Sequence, residues 1–181
     1  MPKEKKHIVL GVTGSIAAYK AADLVRRLRE SGYDVSVVMT KEAEYFIAPL
    51  TFEALSGKKV FTGRFKSWVK DGAMRHIDLG RTASAILIAP ATANVIAKLA
   101  HGLADDLLTC AVLATTAPVL IAPAMNDVMY HNKIVQENCH KLKEHGAIFI
   151  HPVKGQLACG TEGEGHIADT ENILKVLKSV V

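Results

Sequence analysis

The 181 residues match one ordinary domain; they are 49% hydrophobic and 22% charged, which supports a sizeable core and excludes a disordered chain. The net charge of +4, from 22 basic and 18 acidic residues, suits an anionic small molecule, and nothing resembles a nucleic-acid-binding module. Three cysteines, Cys110, Cys139 and Cys159, are odd in number and lack metal-ligand spacing, so neither a disulfide framework nor a metal site is expected.

In chain order, "HIVLGV" (7–12) reads as a buried strand. The next segment, up to Gly32, carries Ile16, Ala17, Leu24, Val25 and Leu28 on one helical face. "DVSVVMT" is a second buried strand ending at Thr40, and a helical stretch over 42–56 is broken or restarted by Pro49. "ASAILIAP" is a third strand, followed by the helix "TANVIAKLAHG" and another helix over 106–115. "APVLIAP" is a fourth strand, 130–145 a helix ending at Gly146, and "AIFIHP" a fifth strand. A final helix over about 170–180 is capped by Asp169 or Thr170. The N-terminus enters its strand with no long apolar leader, so no signal peptide is expected. Pro90, Asn94 and Lys98 break the apolar zone 83–100, so no membrane span is expected either, and the natural address is the cytoplasm.

Strands alternating with helices, and apolar on both faces, predict one doubly wound, Rossmann-like α/β domain with a parallel sheet over the whole of 1–181. Ligands of such sheets bind beyond the carboxyl ends of the strands. Those ends carry Thr13-Gly14-Ser15, Thr40-Lys41, Pro90 to Asn94, and Pro123 to Asn126, four polar termini converging on one edge.

"GVTGSIAA" departs from the dinucleotide pattern G-x-G-x-x-G, with glycines at 11 and 14 and Ser15 after them. Such a turn presents N–H groups and a hydroxyl to an anion at a helix N-terminus, or is simply a tight turn with a serine cap. An NAD site needs an acidic residue ending the second strand. Here Thr40 and Lys41 stand there and Glu42 follows, which favours a phosphate over a ribose diol, and FMN over NADP.

"PATANVIAK" (90–98), "PAMNDVMY" (123–130) and "LACGTEGEGHIAD" (157–169), with "GVTGSIAAYK" ahead and "HIDLGRTA" (76–83) between, resemble the flavin-dependent cysteine decarboxylases. The resemblance spans about 7–175 and is strongest to members acting on phosphopantothenoylcysteine in coenzyme A biosynthesis, the decarboxylase half of a bifunctional bacterial enzyme. Tyr130 stands where many relatives have Trp. The other half, a phosphopantothenate–cysteine ligase, has no counterpart in these residues and is an expected functional partner.

The resemblance implies FMN as cofactor and a redox-neutral decarboxylation: oxidation of the substrate to a thioaldehyde, loss of CO2 to an ene-thiolate, and re-reduction. It assigns acid–base chemistry to His76 and a proton-donating role to Cys159, on a flap formed by the glycine-rich run 155–165. Taken alone, His76 reads more often as a structural residue, and Cys159 as an incidental thiol in a mobile loop. Asn126 is assigned to the substrate carboxylate through its NH2, with Met125, Met129 and Tyr130 as an apolar wall. Arg81 either binds an anionic group or pairs with Asp78. The implied FMN contacts are Gly14, Ser15, Ile16, Thr40, Lys41, Thr92, Ala93, Asn94, Val95 and Ala124; for Thr92 and Asn94 ordinary N-capping is the alternative. Cys110 and Cys139 read as packing residues. Relatives form trimers or multiples of trimers, up to dodecamers, with His76 and Asn126 of one site drawn from different chains.

Three other functions share these features: a peptidyl-cysteine decarboxylase of peptide antibiotic maturation, a flavin prenyltransferase, and a non-catalytic flavin-fold regulatory subunit. The Asn-Met element and Cys159 weigh against the second. The lack of acidic extensions weighs against the third.

Overall fold

The computed structural model describes residues 5–63, 69–70, 73–156 and 162–181. Its centre is a parallel sheet of five strands: β1 (His7–Val12), β2 (Asp34–Met39), β5 (Ala85–Ala91), β6 (Val119–Pro123) and β7 (Ile148–Phe149), in the order β2-β1-β5-β6-β7. The chain starts at β1, moves outward to β2, then crosses to β5 on the other side of β1. Between β1 and β5 the winding therefore reverses, which opens a crevice beyond the strand ends.

Two helical layers explain why the strands are apolar on both faces. α1 (Ala18–Glu30), α2 (Pro49–Ser56) and α8 (Thr170–Val180) place Leu24, Leu28, Phe52, Ile173 and Leu177 against Leu10, Val37, Leu87 and Leu120. On the opposite face lie α3 (Arg75–Thr82), α4 (Ala93–Ala100), α5 (Leu107–Leu113) and α7 (Lys133–Glu144). Their Leu79, Ile96, Leu108 and Cys139 meet Val9, Val38, Ile86, Ile88 and Ile121. Alternate strand residues thus feed separate cores, and all seven residues of β5 are buried. Each fully buried Leu or Ile contributes about 1.5–3 kcal/mol, so the central strands are the anchor for the loops at their ends.

Several local readings are corrected. The stretch 42–56 is a short 3-10 turn (Ala43–Tyr45) followed by α2, and of the two roles expected for Pro49 it takes the second, starting a new helix at the first helical position. The stretch 130–145 is likewise two helices, α6 (Asp127–Tyr130) and α7, because the Asn132 side chain accepts the Ile134 N–H at 3.0 Å and caps a fresh start. "HIDLGRTA", left without an assigned element in the sequence, lies on helix α3. The glycine-rich run, read as a loop, carries the antiparallel pair β8 (Val153–Gln156) and β9 (Glu162–His166). A small antiparallel pair, β3 (Val69–Lys70) with β4 (Ala73–Met74), precedes α3. The last helix begins at Thr170, with Asp169 at its N-cap position but without a side-chain capping bond. Among the described residues no helix is long and apolar enough to cross a membrane.

Candidate active site

At the carboxyl ends of β1, β2, β5 and β6 lies a cavity of about 750 Å³, within the usual range for a cofactor-sized ligand. Three loops build its polar side. After β1, Ser15 Oγ accepts the Ala17 N–H at 3.2 Å, so this serine tightens the turn into α1. Gly14 has to be glycine here, since a Cβ would lie 2.4 Å from the Cβ of Glu42. After β5, the Thr92 hydroxyl accepts the Val95 N–H at 3.4 Å and caps α4. Ala93, Asn94 and Val95 form the first turn of that helix and line the cavity, which sets N–H groups and the positive end of the helix dipole toward a bound anion.

Thr13 ties two of these loops together. Its buried hydroxyl donates to the Pro90 carbonyl at 2.7 Å and accepts the Thr92 N–H at 3.0 Å. Thr40, buried at the end of β2, contributes a third polar wall and donates its N–H to Val12 O at 3.0 Å.

The opposite wall is the corner after β6. Asn126 is the N-cap of α6: its Oδ1 accepts the Val128 N–H at 3.0 Å and the Met129 N–H at 3.4 Å. Those two bonds fix the plane of the amide. Met125 and Met129 line the cavity beside it. Tyr130, expected in the same wall, is instead buried behind it, edge-on to His131 at 5.5 Å. β9 lies on this corner. Gly165 O accepts the Met125 N–H at 3.0 Å, and Glu164 reaches His131 at 3.5 Å. A Cβ on Gly163 would sit 2.6 Å from Asp127, and one on Gly165 would sit 2.1 Å from Met125 O. Both glycines are needed for that close approach.

Of the residues singled out in the sequence, Gly14, Ser15, Ile16, Thr40, Thr92, Ala93, Asn94, Val95, Ala124, Asn126 and Met129 line one cavity. Lys41 is exposed and outside the lining. His76, half-buried at the start of α3, and the exposed Arg81 are also outside the lining within a single chain. The Asp78 carboxylate lies 3.9 Å from Arg75. Cys159 lies outside the described residues. Cys139 is packed in the core and Cys110 donates to Ala104 O at 3.4 Å; burial pushes both thiols above their ordinary pKa, which makes them poor nucleophiles.

Sequence reasoning placed Thr13 and Glu42 at strand ends without giving them a role in the site, and missed Lys20 and His166. Lys20 stands in the first turn of α1, four residues after Ile16, and both line the cavity. His166 becomes visible only when distant segments meet. Among the described residues no group of His, Cys, Asp or Glu is arranged to hold a metal ion.

The site suits FMN on its own chemistry. Hydroxyls of Ser15, Thr40 and Thr92 and the α4 N-terminus serve a phosphate and a polyol, while Ile16, Val95, Ala124 and Met125 offer apolar surface to a flat ring.

A profile of the family described as Flavoprotein matches residues 1–181. The chain is 48% identical over 171 residues (94% of its length) to the coenzyme A biosynthesis bifunctional protein CoaBC of Bacillus subtilis, covering 42% of that protein. It is 46% identical over 169 residues to CoaBC of Escherichia coli, covering 93% of this chain and 41% of that protein. It therefore spans less than half the length of these curated relatives. Among solved structures, a cysteine-to-serine variant of a PPC decarboxylase complexed with pantothenoylaminoethenethiol is 33% identical, with a TM-score of 0.87 over 97% of this chain and 98% of that one. The FMN-dependent cysteine decarboxylase SpaF is 32% identical, with a TM-score of 0.83 over 97% and 98% of the two chains.

Proposed function

The chain belongs to the flavoprotein family, and from that premise we propose that it catalyses FMN-dependent decarboxylation of phosphopantothenoylcysteine to phosphopantetheine in coenzyme A biosynthesis. The observation that carries this reading is the cavity at the β1–β5 switch point, walled on one side by the α4 N-terminus and on the other by the Asn126 corner. Flavodoxin, whose sheet has this strand order, holds FMN at that switch point. The likeness to CoaBC and to a PPC decarboxylase chain supports the substrate.

When bound, FMN supplies reversible hydride exchange, so the overall decarboxylation consumes no nicotinamide. The protein's own groups orient the substrate and manage protons. Asn126 presents its amide to the substrate carboxylate without adding charge, and Met125 and Met129 keep that carboxylate dry while CO2 leaves. His76 takes the proton released on oxidation of the substrate, a role suited to an imidazole near neutral pH. Cys159 returns a proton in the second half of the reaction. In the relative of known structure a cysteine-to-serine variant is complexed with an aminoethenethiol, the kind of species that accumulates when decarboxylation is not followed by reduction.

A cyclic homotrimer, or a multiple of it, completes the site in this reading. His76 is outside the single-chain cavity, while Ile16, Tyr19 and Met129 at its mouth are 57%, 60% and 50% exposed. Apolar side chains so placed call for cover by ligand or a neighbouring subunit. A ligase activity beside it, on the same or a separate chain, fits the bifunctional relatives. The test is incubation of the yellow, FMN-loaded protein with phosphopantothenoylcysteine, following loss of the mass of CO2. Unchanged substrate, or a protein that cannot be loaded with FMN, overturns the proposal.

A further inference from the structure

α3 carries His76 at its second position, and no side-chain cap holds its start, because the N-cap residue is the apolar Met74. The helix is seated from its other half. Leu79 is buried in the same apolar cluster as Leu107, Leu108 and Ala111 of α5. Gly80, also buried, lies flat against the end of α5. A Cβ there would sit 2.8 Å from the Ala114 carbonyl oxygen and 3.1 Å from that of Ala111.

The Gly80 carbonyl belongs to the last turn of α3, where the helix supplies no further N–H. Ser84, whose N–H would have continued the ladder, gives it to His7 O at 2.7 Å instead. Thr115, in the connection between α5 and β6, fills the gap: its hydroxyl donates to Gly80 O at 2.7 Å. The same oxygen accepts the Ala117 N–H at 3.0 Å. The hydroxyl is therefore fixed by the turn ahead of β6 and in turn fixes α3. Gly80 stands four residues beyond His76, about 6 Å along the axis, so a shift at this seat carries directly to the imidazole.

We propose that Thr115 is a positioning residue that acts through the Gly80 carbonyl, setting where α3 presents His76. This rests on the proposed decarboxylase function and on the acid–base role of His76 within it. His76 is outside the cavity of its own chain, so its reach into a neighbour's cavity depends on how α3 is seated. Misplacing a catalytic group by about 1 Å can cost about a hundredfold in rate.

The test compares Thr115→Val, which keeps the shape and loses the donor, with Thr115→Ser, which keeps the hydroxyl. Gly80→Ala disturbs the same seat from the other side. Cys139→Ala truncates a core residue of the same helical layer away from α3, and serves as a control for lost stability. For each FMN-loaded protein, kcat per bound flavin and KM are measured with phosphopantothenoylcysteine, with oligomer mass and urea midpoint as checks of folding. Thr115→Val and Gly80→Ala are expected to lower kcat about tenfold, equivalent to about 1.4 kcal/mol on the barrier, with KM and FMN content unchanged. Thr115→Ser should recover most of the loss, and Cys139→Ala should lower the urea midpoint while keeping the parent kcat. Crystal structures superposed on the central sheet give a readout independent of turnover: His76 should move in Thr115→Val and stay in place in Thr115→Ser, with Asn126 fixed in both. Parent-like kcat in Thr115→Val, a rise in KM in place of the fall in kcat, no recovery with serine, or an unmoved His76 overturns the proposal. So does an equal loss of kcat in Cys139→Ala, which would trace the effect to stability alone. A parent protein without decarboxylase activity defeats the functional proposal, and the position of His76 in the crystals still decides whether Thr115 places it.

Discussion

The Thr13 hydroxyl joins β1 to the cap of α4, accepting the Thr92 N–H at 3.0 Å while donating to Pro90 O at 2.7 Å. One side chain thus holds two loops of the cavity in register. Thr13→Val preserves shape but leaves both backbone groups unpaired, at about 1–3 kcal/mol for each buried group. The expected outcome is a lower midpoint in urea denaturation and weaker retention of FMN on gel filtration. A variant with unchanged stability and full flavin content would show that the loops are held by other contacts.

Much of this architecture was legible in the sequence because the strands are apolar on both faces, a pattern only a covered parallel sheet explains. The boundary at Pro49 was legible from the proline itself, whereas the one at Asn132 was harder, since a helical pattern continues across a new cap. The cavity residues at strand ends were legible for the same reason as the sheet. Thr13 was legible as a strand-end residue, but its partners lie 77 and 79 positions away, as Lys20 and His166 lie 146 apart, and periodicity within one segment carries no information about such pairs. β8 and β9 were hidden by their glycines, which usually mark loops but here allow a strand to lie directly on Met125 and Asp127.

That close approach can be tested at Gly165. A Cβ there would lie 2.1 Å from Met125 O, so Gly165→Ala forces β9 off the Asn126 corner and loses the Met125 N–H bond. Overpacking of this kind costs about 1–3 kcal/mol. Decarboxylation should fall by about tenfold or more, the kinetic equivalent of that loss, while FMN stays bound. Limited proteolysis should cut the variant faster within 153–166. Normal turnover would mean that the seating of β9 does not matter to catalysis.

Asn126→Asp separates the chemistry of the amide from its capping role. Aspartate accepts from the same Val128 and Met129 N–H groups as well as asparagine does, so α6 should keep its start and the protein its stability. The new carboxylate faces that of the substrate, and juxtaposed like charges cost several kcal/mol. We expect kcat/KM to fall on the order of a hundredfold, or more, with FMN content unchanged. Normal activity in the aspartate variant would remove the carboxylate role from Asn126.

At the other end of the sheet, His7 gives a pH dependence unconnected with catalysis. Its ring lies 2.9 Å from Ser36 Oγ and 3.2 Å from Thr82 Oγ1. Burial lowers its pKa; Asp34 and the Thr82 carbonyl oppose this, and Lys58 adds to it, leaving the value below the ordinary 6.5. A histidine with a depressed folded pKa binds its proton more readily when unfolded. Its contribution to stability is therefore complete above pH 6.5 and declines as pH falls from there toward the folded value. Urea midpoints should drop over that window in the parent and less steeply in His7→Gln. Parallel pH profiles for the two proteins would exclude His7 as the source.

The last test concerns where His76 acts. Within one chain it is outside the cavity that Asn126 lines, and the proposed trimer would bring it from a neighbour. His76→Asn and Asn126→Asp should each be inactive as pure proteins. Co-expressed as mixed trimers they behave differently under the two geometries. If one site takes both residues from a single chain, every hybrid site carries a defect and activity stays absent. If the residues come from adjacent chains, a site is intact whenever an Asn126→Asp chain supplies His76 to a His76→Asn chain supplying Asn126. Random assembly around a cyclic axis makes that about one site in four. Recovery near a quarter of the parent turnover, with separately purified variants mixed without exchange remaining inactive, is the expected result; no recovery in verified hybrids would place His76 and Asn126 outside any shared intersubunit site.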